Sequence, residues 1–246
     1  MSDELGSRIL YCDADCVVVN KIAGEAVEGA GWGMIDLPRL LTAELSASDY
    51  PPALPMDALS LPTAVHRLDV PVSGCAAFAR SGAALRFLNA AFSADAVEKR
   101  YWAIVESSPD NPFFSVPAND SVELVHWIQF NSRRNKSTAY DQPGPGRKKA
   151  IIRCRLIGAG QNYQFLEIEL ITGRHHQIRA QFERLDIHVK GDLKYGARRS
   201  EAHGGIRLHA RSLSFPDPAD NSRRISVQAE PPLRDNLWLA FEAFLP

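Results

Sequence analysis

The 246-residue chain is 45% hydrophobic and 23% charged, the composition of a soluble protein long enough to bury a sizeable core. It holds no apolar run of roughly 18 residues, which excludes a transmembrane helix, and its opening MSDELGSRIL lacks the basic-then-apolar pattern of a secretory signal. Four cysteines (Cys12, Cys16, Cys75 and Cys154) without CxxC spacing suit neither a disulfide framework nor a structural zinc site, so a reducing cytoplasm is the expected setting.

Residues 8–20 predict a β-hairpin, RILYC and CVVVN around an Asp13-Ala14-Asp15 turn. Residues 29–63 are rich in Gly and Pro around one short helical candidate at 35–45, and are expected to form an irregular connection. AAFAR at 76–80 suggests a short buried strand. Ser81 then caps a helix running to about residue 92, with Leu85, Leu88 and Phe92 at helical spacing. KRYWAIVES and SVELVHWIQF are predicted strands. Residues 131–149 are polar, basic and rich in breakers, which predicts a loop. AIIRCRLIG and QFLEIELIT look like a second strand pair; in the latter Leu166, Ile168 and Leu170 face one side and Glu167 and Glu169 the other. HHQIRAQFERL predicts an amphipathic helix with Ile178, Phe182 and Leu185 on one face. A strand RLHARSLSF and a helix near 236–244 complete the chain. Strands outnumber helices and come in consecutive pairs. That predicts a single α+β domain over 1–246, with a mixed, largely antiparallel central sheet flanked by helices and loops.

The net charge of −1 hides an asymmetry: residues 1–123 carry 8 Lys and Arg against 17 Asp and Glu, and residues 124–246 carry 20 against 12. Basic clusters recur in the second half at Arg133, Arg134 and Lys136, at Arg147, Lys148 and Lys149, at Arg153 and Arg155, at Arg198 and Arg199, and at Arg223 and Arg224. A polyanion such as RNA would bind such a surface through its phosphates. Solvated loops give the same pattern, so charge alone decides nothing.

Four stretches carry candidate chemistry. His66-Arg67-Leu68-Asp69 is followed by Val-Pro-Val-Ser-Gly, so Asp69 stands where a loop meets the core. There a carboxylate can serve as nucleophile or general base, or merely cap a turn or pair with an arginine. In Lys99-Arg100-Tyr101-Trp102 the two aromatics point to opposite faces of a strand, and Tyr101 can stack on a base or belong to the core. Thr172-Gly173-Arg174-His175-His176-Gln177-Ile178-Arg179 reads as strand, turn and helix start, an arrangement suited to anions, with His175 and Arg179 on a shared helix face. The adjacent histidines lack metal-site spacing, and no metal is expected. GDLKYG at 191–196 and the following LHA are ordinary fragments when taken singly.

Together and in this order, HRLD, KRYWAIVE, TGRHHQIR, GDLKYG and LHARSLSF closely resemble the RluA-type family of RNA pseudouridine synthases. The likeness runs over roughly residues 8–216 and includes the lead-in VVVNKIAGEAV. It implies the pseudouridine synthase catalytic fold and isomerisation of uridines in structured RNA, either tRNA or large-subunit rRNA, with the target nucleotide flipped into a pocket. No redox change and no net hydrolysis occurs in that reaction, so no cofactor is expected. The resemblance gives Asp69 the catalytic carboxylate, Tyr101 the aromatic face for the uracil, and Arg179 the cation that keeps the carboxylate ionised and paired in a buried site. His66, Arg67, Arg174, His176, Arg133, Arg134 and Lys136 are expected to contact RNA, with Arg67 filling the gap left by the flipped nucleotide. Val70 and Val72 stand where the family usually has Arg and Thr. The accessory S4-like domain of many relatives has no room ahead of residue 8, so a stand-alone, monomeric catalytic domain is expected. Two other readings use the same residues: a nucleoside or glycoside hydrolase, for which Asp192 is the obvious second carboxylate, and a catalytically silent RNA-binding module.

Overall fold

The computed structural model describes residues 5–29, 31, 35–47, 56–107, 120–202 and 204–245. They fall into two compact units, Met1–Glu98 with Ala210–Pro232, and Lys99–His209 with Leu233–Pro246. The class is α+β with mostly antiparallel strands, as predicted. Among the described residues no helix is long and apolar enough to cross a membrane.

In the first unit, β1 (Ile9–Cys12) and β2 (Cys16–Lys21) form the expected hairpin. The Asp13 carboxylate accepts the N–H groups of Asp15 and Cys16 at 2.8 and 2.7 Å, so the aspartate itself folds the turn. A short parallel pair follows, β3 (Glu25–Ala26) with β4 (Ile35–Asp36), then α1 (Leu37–Ala47) and β5 (Ala58–Ala64). Residues 29–63, expected to be irregular, thus contain a helix and a strand. Leu37 and Leu41, one turn apart, are fully buried and anchor the helix, which starts two residues later than predicted with Pro38 in its first turn. The Gly- and Pro-rich runs on either side lie largely outside the described residues.

β6 (Ser73–Ser81) pairs with β2 on one side, and every one of its residues is buried. This explains its continuous run of small apolar residues in place of alternation. Ser81 accepts the Ala84 N–H at 3.0 Å and caps α2 (Gly82–Ser93), as the sequence predicts. β12 (Leu208–Pro216) pairs with β13 (Arg224–Gln228), a strand not among the predicted elements. Val18, Ala77, Leu88, Phe215 and Val227 belong to the core that these elements share.

In the second unit the strands run in the order β7 (Glu98–Glu106), β11 (Tyr163–Leu170), β10 (Lys148–Ala159), β8 (Ser121–Asn131) and β9 (Lys136–Tyr140), all antiparallel. The basic loop predicted at 131–149 is therefore a tight turn, a strand and a shorter loop. β9 exists because Ser137 and Ala139 alternate inward and are buried, with α3 (Gln177–Arg184) packed on this strand. α4 (Asn236–Glu242) is capped by Asp235 and buries Trp238 and Phe241 against Trp102, Ile104 and Phe165.

α3 begins at Gln177, not at His175. His176 precedes it in a left-handed conformation (φ 51°), which breaks the helical phase. His175 and Arg179 consequently do not share a helix face, contrary to the prediction from spacing. Gln177 pins the turn instead: its carbonyl oxygen accepts from Thr172 Oγ1 and the Arg174 N–H at 2.9 and 2.8 Å, and its amide donates to the Ile151 carbonyl.

Candidate active site

The Asp69 loop joins β5 to β6 in the first unit. Its turn closes with the Val72 N–H donating to the Asp69 carbonyl at 3.0 Å, and Asp69 itself is half-buried. The loop is held from below by a lysine that was not among the predicted site residues. Lys21 ends β2 fully buried, and its ammonium donates to the carbonyls of Val70 (3.0 Å), Val72 (2.6 Å) and Ile22 (3.0 Å). Three N–H donors meet three acceptors. Burial pushes the Lys21 ammonium down to about 8, against the pull of the Glu25 and Asp69 carboxylates. Glu25 is in turn fixed by a bidentate, buried pair with Arg8 at 3.0 and 2.8 Å.

Val70 and Val72 serve Lys21 through backbone carbonyls, so their departure from the family pattern leaves this clamp unaffected. Gly74, directly after the loop, has φ 112°, and a Cβ there would fall 2.3 Å from the Ala210 carbonyl oxygen, so only glycine fits. Lys21→Met keeps the length and removes all three donors. It is expected to cost about 2–4 kcal/mol in denaturant unfolding, the penalty for stranding buried carbonyls; an unchanged midpoint would show that the loop finds other donors.

His66 and Arg67 flank Asp69 differently. His66 Nε2 accepts the Ala77 N–H at 3.1 Å, which fixes the neutral Nδ1–H form, and its ring stacks on Phe92 at 5.1 Å and 10°. A residue expected to contact RNA is thus first a bracket between the loop and β6. Arg67 is exposed and reaches Glu28 at 3.7 Å with both side chains more than half exposed, an ion pair that contributes little.

In the second unit Arg179 on α3 is 5% exposed and grips Asp192 bidentately, Nε to Oδ2 at 2.6 Å and Nη2 to Oδ1 at 2.8 Å. Asp192 is itself buried, aimed by the turn of GDLKYG: its carbonyl accepts from Tyr195 and Ala197 N–H groups at 3.0 and 3.1 Å. The motif was legible in the sequence, but not that it carries the carboxylate gripped by Arg179. Tyr195 from the same motif completes the group. The Arg179 guanidinium carbon and Lys136 Nζ each lie 4.7 Å from its ring centroid, and its hydroxyl accepts the Ser137 N–H at 2.9 Å and lies 2.9 Å from His176 Nδ1. The structure thus gathers Arg179, His176 and Lys136 around one buried tyrosine. Tyr101, 6% exposed on β7, points to the face opposite Trp102, which belongs to the α4 core.

The predicted RNA-contacting cations are unequal. Arg133 and Arg134 lie in the exposed turn between β8 and β9 and form no ion pair among the described residues. Arg174 is exposed and donates to the Lys149 carbonyl at 3.0 Å. Lys136, by contrast, is bound to Glu183 at 2.7 Å. Arg153 and Arg155 are neutralised across the sheet by Glu123, Glu169 and Glu167 at 3.0, 3.6 and 2.9 Å. Arg133 and Arg134 at the β8–β9 turn, and Lys148 and Lys149 at the start of β10, are exposed and form no ion pair among the described residues. Among the described residues no group of three or more His, Cys, Asp or Glu is placed to hold a metal ion.

A family model described as RNA pseudouridylate synthase matches residues 15–184. A Mycobacterium bovis protein named as an uncharacterized RNA pseudouridine synthase is 35% identical over 230 residues, 90% of this chain and 68% of that one. The ribosomal large subunit pseudouridine synthase C of Vibrio vulnificus is 29% identical over 225 residues, 88% of this chain and 63% of that one. Among solved structures, human RNA pseudouridylate synthase domain containing 4 has the same fold, with a TM-score of 0.69 at 20% identity over 98% of this chain and 93% of the human one.

Proposed function

The chain belongs to the RNA pseudouridylate synthase family, isomerases of uridine in RNA, and on that premise we propose that it converts uridines of large-subunit ribosomal RNA with Asp69 as the catalytic carboxylate. The choice of RNA follows the Vibrio relative, whose name assigns it to the ribosomal large subunit. The observation that carries the reading is the Asp69 loop: the carboxylate of HRLD is half-buried on a turn whose backbone is pinned by a fully buried lysine. Such rigidity is what a group that must meet one atom of a substrate requires.

The reaction breaks the N1–C1′ bond, turns the uracil and joins C5 to C1′. The C5 proton leaves and N1 gains one, so atoms and charge balance without a cofactor. A stacked uridine hides C1′ and C5, so the nucleotide is flipped out, at a cost of a few kcal/mol that RNA contacts repay. Asp69 acts as a carboxylate, whether at C1′, at the base or on a sugar proton. Tyr101 supplies the face on which the uracil turns, and Arg179, held by Asp192, is the cation that the family resemblance gives to the reaction. Arg67, long and exposed, fills the space left in the RNA. A hydrolase would need a protonated second carboxylate; both oxygens of Asp192 already accept from a guanidinium, which favours isomerisation over that reading.

The test is incubation of the purified chain with unmodified total RNA, followed by chemical mapping of pseudouridine and assay of free uracil. Pseudouridine at discrete large-subunit positions is expected. Modification of tRNA alone would reassign the substrate, free uracil would make the protein a hydrolase, and no product at all would leave a silent binding module.

Two further outcomes follow from the placement of single residues. Tyr101→Phe keeps the ring and loses the hydroxyl, so RNA affinity should stay within about twofold while turnover slows by about 10²-fold if that hydroxyl moves a proton. Equal rates would make Tyr101 a stacking surface only. Arg133→Glu with Arg134→Glu should weaken binding to all RNAs and flatten the plot of log affinity against log salt by roughly 0.7–0.9 for each phosphate no longer neutralised. An unchanged slope, in titrations at several salt concentrations, would remove this turn from the RNA-facing surface.

A further inference from the structure

The β8–β9 hairpin carries an aromatic stack that the reaction does not use. Phe130 is 46% exposed, yet its ring is not loose: its centroid lies 4.1 Å from that of His175, tilted by 49°. His175 stacks on His176 at 3.8 Å and 29°, and His176 meets Tyr195 edge-on at 5.6 Å. The stack is locked at several points. The left-handed backbone of His176 turns the two neighbouring rings onto each other. Ser137 Oγ donates to the His175 carbonyl at 2.6 Å and lies 3.3 Å from His175 Nδ1. A rigid column of rings thus runs from buried Tyr195 to one solvent-exposed ring.

A single exposed phenylalanine needs no explanation by itself. This one ends β8 opposite Ser137, on the face that α3 covers, and leads into an exposed turn. Arg133 and Arg134 sit at the turn that Phe130 leads into and form no ion pair among the described residues. An exposed ring backed by a second ring and unneutralised arginines are elements by which unpaired nucleic acid is held: π-faces for bases and cations for the backbone.

We propose that Phe130, backed by His175, is a stacking platform for an unpaired base of the RNA, with Arg133 and Arg134 on the phosphates that flank it. The platform rests on the reading that RNA is the substrate and adds to it a preference: the substrate presents a single-stranded base in addition to the reacting uridine. The rings fix how that base lies; the arginines set affinity without choosing sequence.

The probes are a fluorescently labelled oligouridylate and a fully paired RNA duplex of the same length, titrated by anisotropy against the whole chain. Phe130→Ala is expected to weaken oligouridylate binding by about 5- to 150-fold, the equivalent of roughly 1–3 kcal/mol per stacked base, and to leave duplex binding unchanged. Its salt slope should match wild type, because stacking releases no counterions. Phe130→Trp should bind at least as tightly as wild type, which shows that the ring matters and that the surface tolerates change. Wild-type affinity in Phe130→Ala, an equal loss on the duplex, or no oligouridylate binding by the wild type would each overturn the platform. Pseudouridine formation in total RNA by the wild type, measured alongside, separates the two ideas. Product with no Phe130 effect sinks the platform alone, and absence of product sinks the synthase reading while the titrations still decide the platform.

Discussion

Asp69→Asn is expected to lose pseudouridine formation by about 10³-fold or more, a barrier increase of at least about 4 kcal/mol, while RNA binding stays near wild type. The amide keeps the shape and most of the polarity of the side chain, so a half-buried position tolerates it; what it lacks is the charge that attacks or takes a proton. Asp69→Glu should fail as well, for a different reason. The extra methylene displaces the carboxylate by about 1 Å, and reactions of positioned groups are sensitive on that scale. A flexible loop could retreat to absorb the difference. This one cannot easily do so, because the Val72 N–H closes the turn on the Asp69 carbonyl and Lys21 holds the carbonyls of Val70 and Val72. Single-turnover assays on a transcript that contains the modified site, with anisotropy for binding, give both quantities. More than a few per cent of wild-type turnover in Asp69→Asn would remove Asp69 from the chemistry.

Where structure followed from residues a few positions apart, the sequence was legible. The Asp13 turn, the Ser81 cap and the alternation of Leu166, Ile168 and Leu170 against Glu167 and Glu169 depend on local hydrogen bonds and on the two-residue period of a strand. β9 escaped notice because its inward side is only Ser137 and Ala139, which carry almost no hydrophobic signal; the packing of α3 makes it a strand. The phase break at α3 lies in one backbone angle, that of His176, which no periodicity reveals. At the candidate site the motifs marked Asp69, Tyr101 and Arg179, but not what holds them. Lys21 lies 48 positions before Asp69, and its only local signal is a charge at the end of an apolar strand. The basic clusters misled for a comparable reason. Arg153 and Arg155 look free until the register sets them opposite Glu169 and Glu167, and a register is a property of two strands.

Arg179→Ala is expected to destabilise the protein by about 3–5 kcal/mol and to abolish activity, because it strands the buried Asp192 carboxylate. That result alone would not tell a structural arginine from a functional one, since a weakened fold also loses activity. Removing both charges separates them. A buried ion pair replaced by apolar residues of similar size is often neutral in stability, so Arg179→Met with Asp192→Leu should recover most of what either single change loses, a coupling of several kcal/mol in a double-mutant cycle. Activity should not recover. The double variant restores packing around Tyr195 but lacks the guanidinium. Asp192→Asn is the complementary case: the amide still accepts from the guanidinium through one oxygen, so Arg179 stays charged but is less firmly aimed, and activity should fall further than stability does. Denaturant unfolding and single-turnover rates on these variants and the wild type decide it. If the double variant regains rate together with stability, the pair is a core strut that happens to be ionic and has no part in the reaction.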